Sequence, residues 1–362
     1  MNSAPAKRKI LFVNGGQFGY SAGHFYYCKY LKDEFDIHYF CFDRGKEKIF
    51  LDGIIVHYLP FEGDKIKRNY NFVIRAINLS KGIKPDTLFV VYFGLAFLLG
   101  LFASAKVEKI VDIRTGSLAI NPWRRKLNNT FIKFQTHFFD RRIILSEGLQ
   151  EKLKIKTHNT LVLPLGSDVL FNGSHDFFDS FKLIYVGTLD GRRIDETIIG
   201  LALFMQDPKN KKLVEKYTII GFGSESAIKK LRTTIKQSNL ENTVFFEGEK
   251  KHSDLGRYFS AANIGVAYIP IEDYYQNQPA TKLFEYGLSG IYTLATDTAE
   301  NRKFVTDING TLCRDSPDAF AKALEKIKEK RSEINSANIR RSLEDYRWDL
   351  LVDKKLRTFI RK

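Results

Sequence analysis

A lysine and a glutamate three residues apart, Lys282 and Glu285, stand in the segment YYQNQPATKLFEYGLSG (274–290), where the sequence predicts a helix opening at Pro279. Proline suits the first turn of a helix. The unpaired backbone N–H groups of Ala280, Thr281 and Lys282 would then point out of the helix N-terminus as an anion site. A cation in that turn is disfavoured by the helix dipole by roughly 0.3 to 1 kcal/mol, so a bound anion accounts for Lys282 better than solvent does. One turn deeper, the Glu285 carboxylate can accept two hydrogen bonds from ribose hydroxyls. The same residues also fit an ordinary amphipathic helix that buries Leu283, Phe284 and Leu288 and exposes a Lys and a Glu.

The elements around this helix favour the chemical reading. Residues 264–270, IGVAYIP, read as a fully buried strand, so the loop to Pro279 leaves the strand's carboxyl end, where open α/β sheets bind ligands. Three more loops follow predicted strands: GTLDGRR after FKLIYV, GFGSES after YTII, and GEKKHSD after VFFE. All four would open on one edge of one parallel sheet, which places Gly187, Thr188, Gly221 and Gly223 beside a nucleotide. The first half predicts strands near 9–14, 36–42, 54–59, 88–93, 109–113, 142–146 and 159–163, with helices between most of them. That alternation is the pattern of a parallel, doubly wound α/β sheet. Residues 166–180, rich in Gly, Ser and Asp, read as a linker between two such domains, and the chain after residue 316 reads as helices.

At 362 residues and 44% hydrophobic content, the chain can bury two domain cores. Three widely spaced cysteines, Cys28, Cys41 and Cys313, suggest neither a disulfide framework nor a zinc site, and point to a reducing cytoplasm. The apolar run near the N-terminus is too short for a secretory signal. Residues 87–105 carry no charge and have the length of a membrane span, but Gly94 divides them into a predicted strand, 88–93, and a predicted helix, 94–105. Charge is uneven: residues 1–165 hold 26 Lys and Arg against 14 Asp and Glu, a net of +12 of the total +15. Within them, 121–142 predicts a helix with Leu127, Phe131, Phe134 and Phe138 on one face beside Arg124, Arg125 and Lys126. Such a helix can lie in an anionic membrane interface, or pack its apolar face on the domain's sheet. No recognisable nucleic-acid motif accompanies the basic charge, so nucleic acid is not an expected partner.

Residues 182–305 resemble the donor-binding half of family 4 retaining glycosyltransferases, of the bacterial polysaccharide and glycolipid biosynthesis type. The matching pieces are YVGTLDGRRIDE, TIIGFGSE, VFFEGEKKHSDLGRYFSAANIGVAYIP and QPATKLFEYGLSGIYTLATDTAENRKFV, in order and at family spacing. The resemblance continues more faintly in ILFVNGGQFGYSAGH, VDIRTGS, and IILSEGLQEKL followed by LVLPLGSD. It implies the GT-B fold: Rossmann-like domains at 1–165 and 166–345 facing a cleft, with a C-terminal helix, 346–362, crossing back to the first. It implies transfer of a sugar, with retention and without a metal or other cofactor, from a UDP-sugar or GDP-sugar to a lipid-linked or polysaccharide hydroxyl. It also implies a cytoplasmic protein at the inner membrane face, with an anionic membrane surface as a partner.

With no metal, cations and helix amides must stabilise the departing diphosphate. By the resemblance, Arg193 takes the place of the family's phosphate-binding Lys, whereas Thr188 stands where an Arg is common, so Arg192 or Lys282 would compensate. Glu285 matches the second of the family's paired glutamates and Asn277 stands at the first. Gly15, Gly16 and Gly19 would let the first loop approach the diphosphate and acceptor closely, and His24, Asp112 and Arg114 fall on the acceptor side. The departures at Asn277 and Thr188 keep two alternatives open: a nucleotide-sugar epimerase of the same fold, and a catalytically degenerate partner subunit.

Overall fold

The computed structural model describes residues 7–177 and 179–361; residues 1–6 of the segment read for a secretory signal, Phe178 of the predicted linker and Lys362 lie outside them. The chain divides into two units, one of Met1–Pro164 with Trp348–Lys362 and one of Leu165–Arg347.

The first unit holds β1 (Lys9–Asn14), β2 (Asp36–Asp43), β3 (Ile54–Pro60), β4 (Thr87–Val91), β5 (Glu108–Ile113), β6 (Arg141–Ile144) and β7 (Thr160–Val162). They form one sheet in the order β3-β2-β1-β4-β5-β6-β7, every pair parallel. Strands covered on both faces read as unbroken apolar runs, and Ile10, Leu11, Phe12 and Val13 of β1 are all fully buried. The second unit holds β8 (Phe181–Thr188), β9 (Val214–Phe222), β10 (Val244–Gly248), β11 (Ile264–Ala267), β12 (Tyr292–Thr296) and β13 (Gly310–Cys313). Its sheet runs β10-β9-β8-β11-β12-β13, again all parallel. In each sheet the strand order reverses beside the first strand, between β1 and β4 and between β8 and β11. Helices following the two strands depart in opposite directions there and open a crevice at the carboxyl ends.

The uncharged segment 87–105 is strand β4 followed by a short helix, Ala96–Phe102, each a little shorter than the sequence suggests. Gly100 lets that helix approach closely, since a Cβ there would stand 2.3 Å from the Phe138 carbonyl oxygen. Among the described residues, no helix is long and apolar enough to cross a membrane.

Described residues of the predicted linker pack on the second unit. Leu170 and Phe171 pack on the second unit's core and Phe177 is buried in it. At the other end of the chain, Trp348 is buried in the first unit, stacked on Tyr26 at 6.0 Å and edge-on to Tyr27 at 5.6 Å, while Arg357 and Arg361 both pair with Glu34. All three cysteines are free and buried, and burial pushes the Cys41 and Cys313 thiols up to about 12. Charge divides more sharply by unit than by sequence halves. The first unit holds 31 Lys and Arg against 16 Asp and Glu, and the second 26 against 26, so the whole +15 belongs to the first.

Candidate functional site

At the reversal between β8 and β11 lies a cavity of about 200 Å³. Gly187 and Thr188 line it from the end of β8, Tyr268 and Ile269 from beyond β11, and Ala280, Thr281 and Lys282 from the helix Thr281–Leu288. Arg192 completes the lining, its guanidinium 4.6 Å over the Tyr275 ring. Two cations, Arg192 and Lys282, therefore border one small cavity at a helix start. A planar guanidinium can bridge two phosphate oxygens, and an ammonium adds a compact charge.

Arg193, the residue expected at the phosphates, does not line this cavity. Gly191 (φ 67°) and Arg193 itself (φ 52°) are both left-handed, so the chain reverses between two adjacent arginines before the helix Ile194–Phe204. Arg193 Nη2 donates to Glu272 Oε1 at 3.1 Å and its Nη1 to Asp315 Oδ2 at 3.2 Å. It lines a different depression, with Asp190, Asp195 and Lys230. Asn277 lies in the turn before Pro279, partly buried and outside the cavity lining.

The helix start also differs from expectation. Pro279 precedes the N-cap, Ala280, instead of occupying the first turn, and the Ala280 N–H is already donated to Asn301 Oδ1 at 3.1 Å. Of the three amides assigned to an anion, those of Thr281 and Lys282 form the first turn proper.

Glu285 is 3% exposed, its Oε2 bonded to Lys282 Nζ and its Oε1 3.9 Å from His252 Nε2. Burial raises such a carboxyl, but the Lys282 ammonium and the His252 imidazole outweigh it and hold Glu285 down to about 2. Lys282 thus turns inward to a carboxylate, which itself explains a cation in the first turn. His252, in the loop after β10, had no assigned role in the sequence. Its signal there was only membership of the polar loop GEKKHSD on the ligand edge.

The glycines separate by cause. A Cβ on Gly221 would stand 1.8 Å from the Gly187 carbonyl oxygen, and these residues are register partners on β8 and β9. Gly221 is thus required by the sheet itself. Gly223 is crowded by Leu189 and Asp190, the latter accepting from Ser224 N at 2.8 Å to start the next helix. Gly15 and Gly16 follow β1 at the other sheet's reversal. Nothing lies within 4 Å of a Cβ on Gly15, whose carbonyl accepts twice from Arg44, at 2.7 and 3.1 Å. Gly19 is left-handed, at φ 87°.

The first unit brings His24 to Asp112 and Arg114, which lie far from it in sequence. His24 Nε2 lies 2.9 Å from Asp112 Oδ2, both residues buried, and Arg114 Nη1 is 3.6 Å from Asp112 Oδ1. Ser21 Oγ approaches His24 Nδ1 at 2.6 Å, which fixes the ring from its other side. Arg114 also donates to the Leu163 carbonyl at 2.9 Å, and Tyr27, whose hydroxyl burial raises, stands edge-on to His24. Asp112 Oδ1 makes no hydrogen bond among the described residues, although it is fully buried. The cluster sits at the carboxyl end of β5, one strand from the β1–β4 reversal.

No family model matches the sequence, and no curated protein does. Among solved structures, sucrose-phosphate synthase from Thermosynechococcus elongatus superposes with a TM-score of 0.76 at 17% identity, covering 98% of each chain. HepE from Anabaena, in complex with UDP and glucose, superposes at 0.74 with 16% identity, over 98% of this chain and 100% of its own. The lipopolysaccharide outer core galactosyltransferase WaaB, in its apo form, superposes at 0.67 with 16% identity, over 97% and 99%. These neighbours are GT-B glycosyltransferases, and the chain shares their α/β fold along nearly its whole length.

Proposed function

We propose that this protein is a retaining, metal-independent glycosyltransferase that moves a sugar from a nucleoside diphosphate sugar to a lipid-linked or polysaccharide hydroxyl at the inner face of the cytoplasmic membrane. The observation that carries the reading is the cavity at the β8–β11 reversal, bordered by Arg192 and Lys282. A diphosphate leaving group develops charge as the glycosidic bond breaks, and preorganised cations beside it lower that barrier without any metal. The likeness to HepE, a protein seen with UDP and glucose, supports a sugar nucleotide as donor.

The residues divide the work in this account. Arg192 forks onto the phosphates. Lys282 exchanges its Glu285 partner for a phosphate oxygen, and the ribose hydroxyls take the ammonium's place on the carboxylate. His252 stays beside Glu285, so the buried charge keeps a partner throughout. In the first unit, Asp112 fixes the His24 ring, and Arg114 adds positive charge, to receive the acceptor hydroxyl.

The test incubates the purified full chain with UDP- and GDP-sugars and membrane lipid extract, and follows products by mass spectrometry. Transfer that requires the extract supports the reading. Sugar conversion without extract would make the protein an epimerase, and no turnover with any donor would leave it a degenerate subunit.

A further inference from the structure

The helix Pro122–Gln135 is fourteen residues long, yet only Ile132 and Gln135 are buried. A surface helix normally turns its apolar stripe inward. Here Trp123 is 80% exposed, Leu127 70%, and Phe131 and Phe134 about half, with Ile120 just before the helix at 83%. The alternative in which this face packs on the sheet is therefore not realised. Phe138, assigned to the same face, falls in the turn that follows and packs on Phe97 at 5.7 Å between ring centres. Leu101 and Phe102 of the neighbouring helix Ala96–Phe102 are exposed as well, and Phe97 of that helix meets Phe131 at 6.2 Å. Together they form an apolar ridge roughly 21 Å long, the length of the fourteen-residue helix.

A second stripe runs beside the first. Arg125, Lys126 and Lys133 of the same helix, with Lys152 and Lys154 at the end of the helix Glu147–Leu153, line a groove of about 330 Å³ that has no acidic residue in its lining. Thr130 and Asn129 supply hydroxyl and amide groups in the same groove. Lys126 Nζ stands 6.0 Å over the Trp123 ring, where the two stripes meet.

We propose that this face lies on an anionic phospholipid bilayer, with the ridge in the acyl boundary and the basic groove holding lipid phosphate headgroups. The proposal rests on the membrane location given above and specifies the surface that makes it. Charge selects this occupant. A second copy would bring two units of net +15 face to face, and nucleic acid would not cover exposed Leu and Phe side chains. A bilayer supplies both an apolar layer and a negative surface, and an interfacial helix with aromatic residues on one face and Lys/Arg on the other matches it.

The chain offers its own reporter. It has two tryptophans, and Trp348 is buried, so a change in emission on vesicle binding reads Trp123. With vesicles of phosphatidylcholine and phosphatidylglycerol at low salt, the full chain should co-sediment and its emission should shift to the blue. Phosphatidylcholine alone should bind at least tenfold less. Each Lys→Glu change at Lys126 or Lys133 should weaken binding by roughly fivefold or more. Trp123→Ala with Leu127→Ala should weaken it by at least about tenfold while leaving thermal unfolding unchanged, since both positions are exposed. Binding that persists unchanged in these variants, with Trp123 emission of the parent chain unmoved, would overturn this surface while leaving the membrane location standing. No co-sedimentation of the parent chain would overturn both, and equal binding to neutral vesicles would overturn the assignment of the basic groove.

Discussion

At the residue scale, Arg192 and not its neighbour Arg193 borders the cavity proposed for the nucleotide. Arg192→Ala should weaken nucleoside diphosphate binding roughly ten- to a hundredfold, the cost of a charge-assisted contact of about 1.5 to 3 kcal/mol. Arg193→Ala should leave that affinity within about threefold. It removes a partly exposed guanidinium paired with carboxylates, an interaction worth about 0 to 1 kcal/mol of stability, and a calorimetric titration of both variants separates the two outcomes. The sequence could nominate Lys282 and Glu285 by residue type and spacing, and the resemblance added Arg193 in the place of the family's phosphate-binding Lys. That Arg192 rather than Arg193 borders the cavity could not be read there, since it depends on left-handed φ angles at Gly191 and Arg193. His252 was hidden for a similar reason: its role exists only where the loop after β10 folds over Glu285.

Glu285 gives a second residue-scale test, through acid stability. Its folded carboxyl is held down to about 2 against an ordinary value of about 4.3, so the folded state binds the proton less readily than the unfolded chain does. The stability this contributes is fully present above about pH 4.3 and is lost as the pH falls towards 2. Glu285→Gln should cost about 1 to 3 kcal/mol near pH 7, and the gap to the parent should close across that window. Urea unfolding at pH 7, 4 and 3 measures it, and a gap independent of pH would mean that its partners do not hold the Glu285 carboxyl below its ordinary value.

At the scale of elements, the parallel strands were the most legible part of the chain. Runs such as Ile10 to Val13 and the strand IGVA are apolar at every position because both faces of the sheet are covered. Strand ends were less legible, because they depend on where the carboxyl-edge loops leave the sheet. Gly221 shows a limit of another kind. Glycine in a loop suggested room for a ligand, whereas the neighbouring strand's Gly187 carbonyl occupies the space. Gly221→Ala should therefore destabilise the second unit by well over the roughly 0.5 kcal/mol of an ordinary exposed substitution, and lower the melting temperature by several degrees. Unchanged melting with weaker nucleotide binding would return Gly221 to the ligand. The helix Pro122–Gln135 lay at the opposite extreme: its amphipathic pattern was plain, but a pattern does not say whether the apolar stripe meets protein or lipid.

At the scale of the molecule, the two units carry different electrostatic tasks. The neutral second unit gathers its cations locally, at one cavity where a doubly charged leaving group would form, while the first carries the entire net charge on its surface. The two-sheet architecture was legible because hydrophobic runs and polar loops alternate throughout, and the resemblance supplied the return of the C-terminal helix to the first domain, which periodicity alone does not. Titrating the full chain with UDP and with GDP in a calorimeter tests the central claim most directly. The account predicts that one of them binds at a single site, and that Arg192→Ala and Lys282→Ala each weaken it tenfold or more. Failure of both nucleotides to bind, or binding indifferent to both substitutions, would contradict it.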